Sequence, residues 1–358
     1  MTDAAPTEEQ MREALNTGVK EVAESHRFDE ASLSAWMKDH VTGFEGPLTV
    51  RQFKGGQSNP TYELTTPARK YVMRRKPPGH LLPSAHAVDR EFRVISALYP
   101  TGFPVPKPYA LCEDDAVVGT MFYIMDKVEG RVLWDQTLPA YAPAERHALH
   151  MAALKTLADL HNTDYAAIGL AEFGRPGNYM LRQISRWTKQ YKASETEHLD
   201  TIERLIEWLP ATVPVDDQTT IVHADYRLDN EIMHPTEARV VAVLDWELAT
   251  LGNPLADFTN LLMQWVNGSV AAIEDKKAWG IPTMEEYVEA YCAMTGRSGL
   301  TDLNWYFAYN LFRLAGIVQG IVGRVCDGTA NSPQAAAMAA RVPLLGEAAW
   351  KYAKLAGA

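Results

Sequence analysis

His223-Ala-Asp225-Tyr-Arg-Leu-Asp229-Asn230 follows the apolar run Thr220-Ile-Val, and a second apolar run, Val240-Val-Ala-Val-Leu, leads into Asp245-Trp-Glu247. Two strands thus place Asp225, Asn230 and Asp245 on adjacent loops. Phosphoryl transfer needs this set of residue types. One carboxylate positions and deprotonates an attacking hydroxyl, while a second carboxylate and an amide oxygen hold Mg²⁺, a hard ion that takes oxygen ligands, against nucleotide phosphates. Singly, each residue says little: a loop Asp is commonly a turn or cap residue, and a histidine is more often a hydrogen-bonded structural group than a base. The combined spacing is much harder to reach by chance.

Upstream, Leu48–Phe53, Thr61–Thr66 and Lys70–Arg75 read as short strands bounded by Gly and Pro, the pattern of an antiparallel sheet. Gly55, Gly56, Gln57, Ser58 and Asn59 lie between the first two. Glycines there let backbone N–H groups approach a phosphate closely, and Ser58 adds a hydroxyl; taken alone the segment is a hairpin turn. It is not a Walker loop, and Pro60 stands where a hydrolase elbow needs its second glycine. A helix follows, about Ala85 to Leu98, with Val88, Phe92, Ile95 and Leu98 as its apolar stripe. Glu91 points along that stripe, and a carboxylate on a buried face needs a partner. Two further strands are expected near Tyr109–Cys112 and Thr120–Lys127. From Pro143 the chain reads as helical except between Thr219 and Leu244. Residues from Thr7 to His40 read as one or two polar helices. The expected fold class is α+β and two-lobed: residues 1–45 a helical extension, 46–127 a nucleotide-binding antiparallel-sheet lobe, 128–358 a mainly helical lobe with the catalytic loop.

The chain has 358 residues, enough for a full core. Lys plus Arg is 34 and Asp plus Glu is 45, a net charge of −11 that argues against non-specific nucleic-acid binding. Cys112, Cys292 and Cys326 form no Cys-x-x-Cys pair and read as buried reduced thiols. The acidic N-terminus lacks an apolar signal-peptide core, and no run approaches the ~18 apolar residues of a membrane span. The expectation is a cytoplasmic protein without a nucleic-acid or membrane partner.

His223-x-Asp225-x-x-x-x-Asn230, then Leu244-Asp245-Trp-Glu and Gly252-x-Pro254-x-x-Asp257, resembles the aminoglycoside phosphotransferase family. The resemblance runs from about Val50 to Gly346. It is nearest to the branch whose kinase-like domain is fused to some acyl-CoA dehydrogenases, through Gly55-Gly-Gln-Ser-Asn-Pro-Thr-Tyr, Asp89-Arg-Glu-Phe-Arg-Val and Asn178-Tyr-Met-Leu-Arg-Gln-Ile-Ser-Arg-Trp. The resemblance implies a protein-kinase-like fold, ATP and Mg²⁺. It makes Asp225 the base, Asn230 and Asp245 the metal ligands, and His223 a residue that shapes the catalytic loop. Asp257 would bond that loop from below, or is simply an acid at a helix start. Phe122-Tyr-Ile-Met-Asp126-Lys-Val128 resembles the hinge that reads adenine through the backbone of Asp126 and Val128. Arg74 stands where protein kinases carry lysine; an arginine fork can do that work with Glu91 as partner, and Lys76 shares its strand face.

Arg182, Arg186 and Lys189 share one face of a helix over Asn178–Tyr191, with Trp187 and Tyr191 on a neighbouring face. They form either a solvated basic face or, in a net-acidic chain, the wall for an anionic small-molecule hydroxyl acceptor. For this branch the resemblance implies a hydroxy acid or hydroxyacyl-CoA thioester. Rival readings are an aminoglycoside or macrolide kinase, which the basic stripe opposes, and a nucleotide-binding pseudokinase, which the intact Glu91, Asp225, Asn230 and Asp245 oppose.

Overall fold

The alternation in Lys70-Tyr-Val-Met-Arg-Arg has a direct structural counterpart. Tyr71 and Met73 face one core, Val72 another, while Arg74 and Arg75 make their bonds on opposite faces of the strand. In this computed structural model, which describes residues 17–55, 59–78, 86–215, 218–326 and 335–358, the strand is β4 (Lys70–Arg75). It lies inside a six-stranded antiparallel sheet. The other members are β1 (Val19–Lys20), β2 (Thr49–Phe53), β3 (Thr61–Thr65), β5 (Pro108–Cys112) and β6 (Phe122–Asp126), in the order β1-β2-β3-β4-β6-β5.

Helix α1 (Glu30–His40), N-capped by Asp29 through the backbone N–H groups of Ala31 and Ser32, covers the outer face with Leu33 and Met37, both fully buried. Residues 17–40 therefore depart from the all-helical expectation: they contain an edge strand as well as a helix, and both are built into the small lobe. A two-residue strand carries too little periodicity to be legible as one. Helix α2 (Val88–Leu98) lies on the inner face, with Val88, Val94, Ile95 and Leu98 in the main core.

The chain crosses to the large lobe at Gly130, where an added Cβ would collide with the Met233 carbonyl. The long helices there are α3 (Pro143–His161), α4 (Tyr179–Ala193), α5 (Asp200–Ala211), α6 (Pro254–Leu261), α7 (Met284–Thr295), α8 (Leu303–Cys326) and α9 (Ala335–Leu355). Two small antiparallel sheets position the site. β7 (Arg131–Val132), β9 (Glu231–Met233) and β10 (Val240–Val243) form one; β8 (Thr220–Val222) and β11 (Thr250–Gly252) form the other. The loop carrying Asp225 runs from β8 to β9, and the loop carrying Asp245 runs from β10 to β11. Because β9 pairs with β10 and β8 with β11, both loops are held side by side at both ends.

Cys112 and Cys292 are buried as expected, but Cys326 is exposed at the end of α8. Among the described residues no helix is long and apolar enough to cross a membrane.

Candidate active site

The catalytic-loop backbone is fixed from below. Asp257, on the first turn of α6 and almost fully buried, accepts from the His223 N–H at 2.7 Å and the Ala224 N–H at 2.8 Å. Burial alone would raise its pKa; the bonds and charges of His161 and His223 outweigh this and hold it below the ordinary carboxylate value. His223 is fully buried. Its Nε2 bonds the Leu244 carbonyl at 2.8 Å, and its Nδ1 accepts from the Asp225 N–H at 3.3 Å. Both ring nitrogens are thus spent on tying the two loops together, which suits a shaping residue rather than a proton shuttle.

Asn230 donates through Nδ2 to the Asp225 carboxylate at 3.1 Å and to its carbonyl at 2.9 Å, while its own carbonyl accepts from the Leu244 N–H at 2.8 Å. Asp245 follows in the left-handed region, φ 64°, a conformation that a non-glycine residue keeps only where its surroundings hold it. The two side chains offer a carboxylate and an amide oxygen, a donor set that fits a hard divalent cation such as Mg²⁺.

Arg74 is the partner that the buried Glu91 needs, as the resemblance implies. Its Nε lies 2.9 and 3.1 Å from the two Glu91 oxygens, and its Nη2 lies 2.5 Å from Asp245 and 3.5 Å from Glu247. Glu91 also accepts from Asn59 Nδ2 at 3.0 Å and from the Tyr123 hydroxyl at 3.2 Å. Asn59 Nδ2 reaches Glu247 at 3.4 Å. Burial, reinforced by Asp245 and Glu247, outweighs Arg74 and pushes Glu91 up to about 7. Burial works against the Arg74 charge too, but the carboxylates around it win and raise its pKa. Three carboxylates share one guanidinium, so the site is short of positive charge, as a cation site should be.

Gly55 is half-buried at the exit of β2. Gly56, Gln57 and Ser58 lie outside the described residues, so of the segment expected to cover phosphates only Gly55 and Asn59 are described. At the hinge, the Asp126 N–H is engaged by the Lys107 carbonyl at 2.9 Å, and its carboxylate accepts from Tyr109 at 2.6 Å. The expected adenine contact through the Asp126 backbone would therefore fall to its carbonyl, since its N–H is already engaged.

A cavity of about 150 Å³ opens beside Asp225, with Arg227, Asn260, Gln264, Arg313 and Leu314 in its wall. Arg227 lies 3.6 Å from Asp225 and 3.2 Å from Asp229. A narrow second cavity continues past Ala224 between Tyr179, Arg186, Trp187 and Arg313. The basic stripe of α4 is therefore divided. Arg186 lines this cleft, Trp187 is buried in its wall, Arg182 turns back to the carbonyls of Arg175 and Gly177, and Lys189 is exposed.

Arg227, Glu247, Asn260 and Arg313 escaped the sequence reading. Arg227 and Glu247 sit inside the two quoted motifs, each two residues past a key aspartate. Arg313 carried a different signal, a charge on an otherwise apolar helix face.

This two-lobed fold, with its paired loops under a network of one guanidinium and three carboxylates, is that of a kinase-like phosphotransferase. A family model described as the phosphotransferase enzyme family matches residues 49–300, and the chain belongs to that family. It is 40% identical over 351 residues to human acyl-CoA dehydrogenase family member 11, covering 94% of this chain and 45% of that protein. It is 42% identical over 334 residues to mouse acyl-CoA dehydrogenase family member 10, covering 92% and 31%. The chain thus spans less than half the length of these relatives. A Ralstonia eutropha crystal structure, provisionally named an aminoglycoside phosphotransferase, superposes with a TM-score of 0.85 at 51% identity, covering 92% of this chain and 99% of that one. Choline kinase from Cryptosporidium parvum shares the fold at a TM-score of 0.64 and 11% identity, covering 91% and 97%.

Proposed function

We propose that the chain is an ATP-dependent small-molecule kinase that moves the γ-phosphoryl group onto the hydroxyl of an anionic acceptor, a hydroxy acid or its CoA thioester. The observation that carries this reading is the cavity at Asp225, whose wall brings Arg227 and Arg313 together with apolar side chains. Asp225 would take the proton of the acceptor hydroxyl as its oxygen bonds to the γ-phosphorus and the bond to the β-phosphate oxygen breaks, releasing ADP. Asp245 and the Asn230 amide oxygen would hold Mg²⁺, which when bound supplies positive charge against the phosphates. Arg74, fixed by Glu91, would add a second cationic contact under the Gly55 turn. His223 and Asp257 would keep the loop in shape without touching substrate.

Two features support the acyl acceptor. The relatives are named as acyl-CoA dehydrogenase family members, and the cavity is lined in part by Leu261, Met263, Leu314 and Ile317. An aminoglycoside is a polycation, and arginines beside the base oppose it. A pseudokinase reading is opposed by the complete set of Glu91, Asp225, Asn230 and Asp245.

The test is nucleotide-coupled ADP release with a panel of hydroxy acids, hydroxyacyl-CoA thioesters, aminoglycosides and macrolides. Turnover is expected only with the anionic hydroxyl compounds. It should drop ~10²-fold or more in Asp225→Asn with nucleotide binding kept, and vanish in Asp245→Asn. Turnover confined to antibiotics would overturn the acceptor assignment, and Mg²⁺-nucleotide binding without transfer to any acceptor would overturn the enzyme.

A further inference from the structure

Ala224, the residue before the candidate base, has φ 66°. A residue with a Cβ keeps that left-handed backbone only where its peptide groups are held, and here both are. Its N–H goes to Asp257, and its carbonyl accepts from Arg313 Nη2 at 2.5 Å. Asp257 comes from α6 and Arg313 from the middle of α8, so two helices grip one residue from opposite ends. The Arg313 guanidinium is itself oriented on two more sides. Nη1 donates to Asn260 on α6 at 3.2 Å, and its central carbon lies 5.6 Å from the centre of the Trp187 ring on α4. Arg313 is only 9% exposed, and it is the side chain common to the walls of both cavities beside the loop.

We propose that Arg313 is a positioning residue for Asp225: it clamps the Ala224 carbonyl and so fixes where the Asp225 carboxylate stands in the acceptor cavity. This rests on the kinase reading for its effect on turnover, but not for its effect on the loop. A planar fork that grips the carbonyl and Asn260 together sets direction as well as distance, which a single ammonium cannot. Because the same guanidinium forms the cavity wall, an acceptor that enters meets the group that holds the base. Acceptor fit and base placement are therefore set by one side chain, although Arg313 itself exchanges no proton.

The test uses the full chain with Arg313→Met and Arg313→Lys, in three measurements. Steady-state kinetics at saturating nucleotide should show kcat lowered about 10²-fold in Arg313→Met, the scale of a misplacement near 1 Å, with nucleotide Kd unchanged within twofold. Arg313→Lys should recover part of that loss, since an ammonium still donates to the Ala224 carbonyl. Hydrogen exchange at the amides of residues 224 and 225, without substrate, should be faster in Arg313→Met and intermediate in Arg313→Lys. Melting temperatures separate a plain structural role. If Lys and Met lose kcat equally and in step with Tm, Arg313 is only a rivet and the proposal fails. A raised acceptor KM with kcat intact would leave Arg313 an acceptor-binding charge without a positioning role, and would also overturn the clamp. Should Arg313→Met not fold, Arg313→Lys alone decides: kcat down about tenfold at near wild-type Tm supports the clamp, and wild-type kcat refutes it. If the wild-type chain phosphorylates nothing, the kinase reading falls, while the exchange rates still decide the clamp: unchanged exchange overturns it.

Discussion

Arg74 on β4 donates to Asp245 at 2.5 Å through Nη2 while its Nε holds Glu91 at 2.9 Å. One guanidinium therefore joins a helix carboxylate of the small lobe to a loop carboxylate of the large one. The bond ties the two lobes together at the strand, and it gives Asp245 a counter-charge from within the chain. The fork matters because each arm has a separate partner; a lysine at this position could satisfy one carboxylate but not orient both.

Replacing Arg74 by Met should leave Glu91 buried without its ion partner. Breaking a buried pair from one side costs about 3–5 kcal/mol, so a large fall in chemical-denaturation stability is expected. Arg74→Lys should recover a good part of the stability but less of the nucleotide affinity, since charge returns without the fork. Equal stability for all three proteins would remove Arg74 from the network.

Glu91 gives the network a pH signature. Its pKa is raised to about 7 in the folded chain, against about 4.3 when unfolded. The folded state thus binds the proton more tightly, so stability is highest below the unfolded value and declines as pH rises from about 4 to 7. Glu91→Gln should flatten the pH dependence of Tm across that window. Binding a divalent cation with nucleotide would offset Asp245 and Glu247, two of the groups that raise Glu91. Proton release near pH 7 is then expected, read by calorimetry in buffers of different ionisation enthalpy, and abolished in Glu91→Gln.

Asp257 has the opposite sign. Its pKa is depressed in the folded chain, so its contribution is full above the unfolded value of about 3.9 and is lost as pH falls through the folded value. It accepts two backbone N–H bonds, each a charge-assisted contact of about 1.5–3 kcal/mol. Asp257→Ala should therefore cost about 3 kcal/mol or more and abolish turnover, because it frees the loop that carries Asp225. Asp257→Asn keeps one acceptor and should lose less. A surface-like cost below about 0.5 kcal/mol would show that the loop holds itself.

How much of this was legible depended on where the signal was local. The strand at Lys70–Arg75 was legible to the residue, because alternation and Pro77-Pro78 bounded it. That Glu91 needs a partner followed from one carboxylate on an apolar stripe; that the partner is Arg74 rather than Lys76 came from the resemblance to the kinase pattern. The grouping of Asp225, Asn230 and Asp245 followed from two strand-and-loop units. Contacts set by the register of distant helices were not legible: nothing local ties Arg313 to Ala224, or turns Arg182 back onto Gly177. Helical spacing put Arg182, Arg186 and Lys189 on one face, but the preceding loop, not the spacing, decided which of them reached the cleft. The β1 strand was hidden for a related reason, since its pairing with β2 is long-range.

That division of the α4 stripe makes the substrate prediction sharper. Arg186 lines the narrow cavity beside Ala224 and Arg313, with its guanidinium 5.4 Å from the centre of the Trp187 ring, yet it is exposed. Exposure limits a single charge contact to about 0–1 kcal/mol. Reversal in Arg186→Glu both removes an attraction and adds a repulsion. It should raise KM for an anionic acceptor about fivefold to tenfold, with KM for ATP unchanged because on the proposed reading the nucleotide would lie under the Gly55 turn. Lys189→Glu, further along α4 and outside the cleft wall, should change KM less than twofold. For a cationic acceptor the Arg186 change should lower KM instead. The sign in this one variant separates the hydroxyacyl reading from the antibiotic reading, and equal, negligible effects from both variants would leave Arg227 and Arg313 as the charges that select the acceptor.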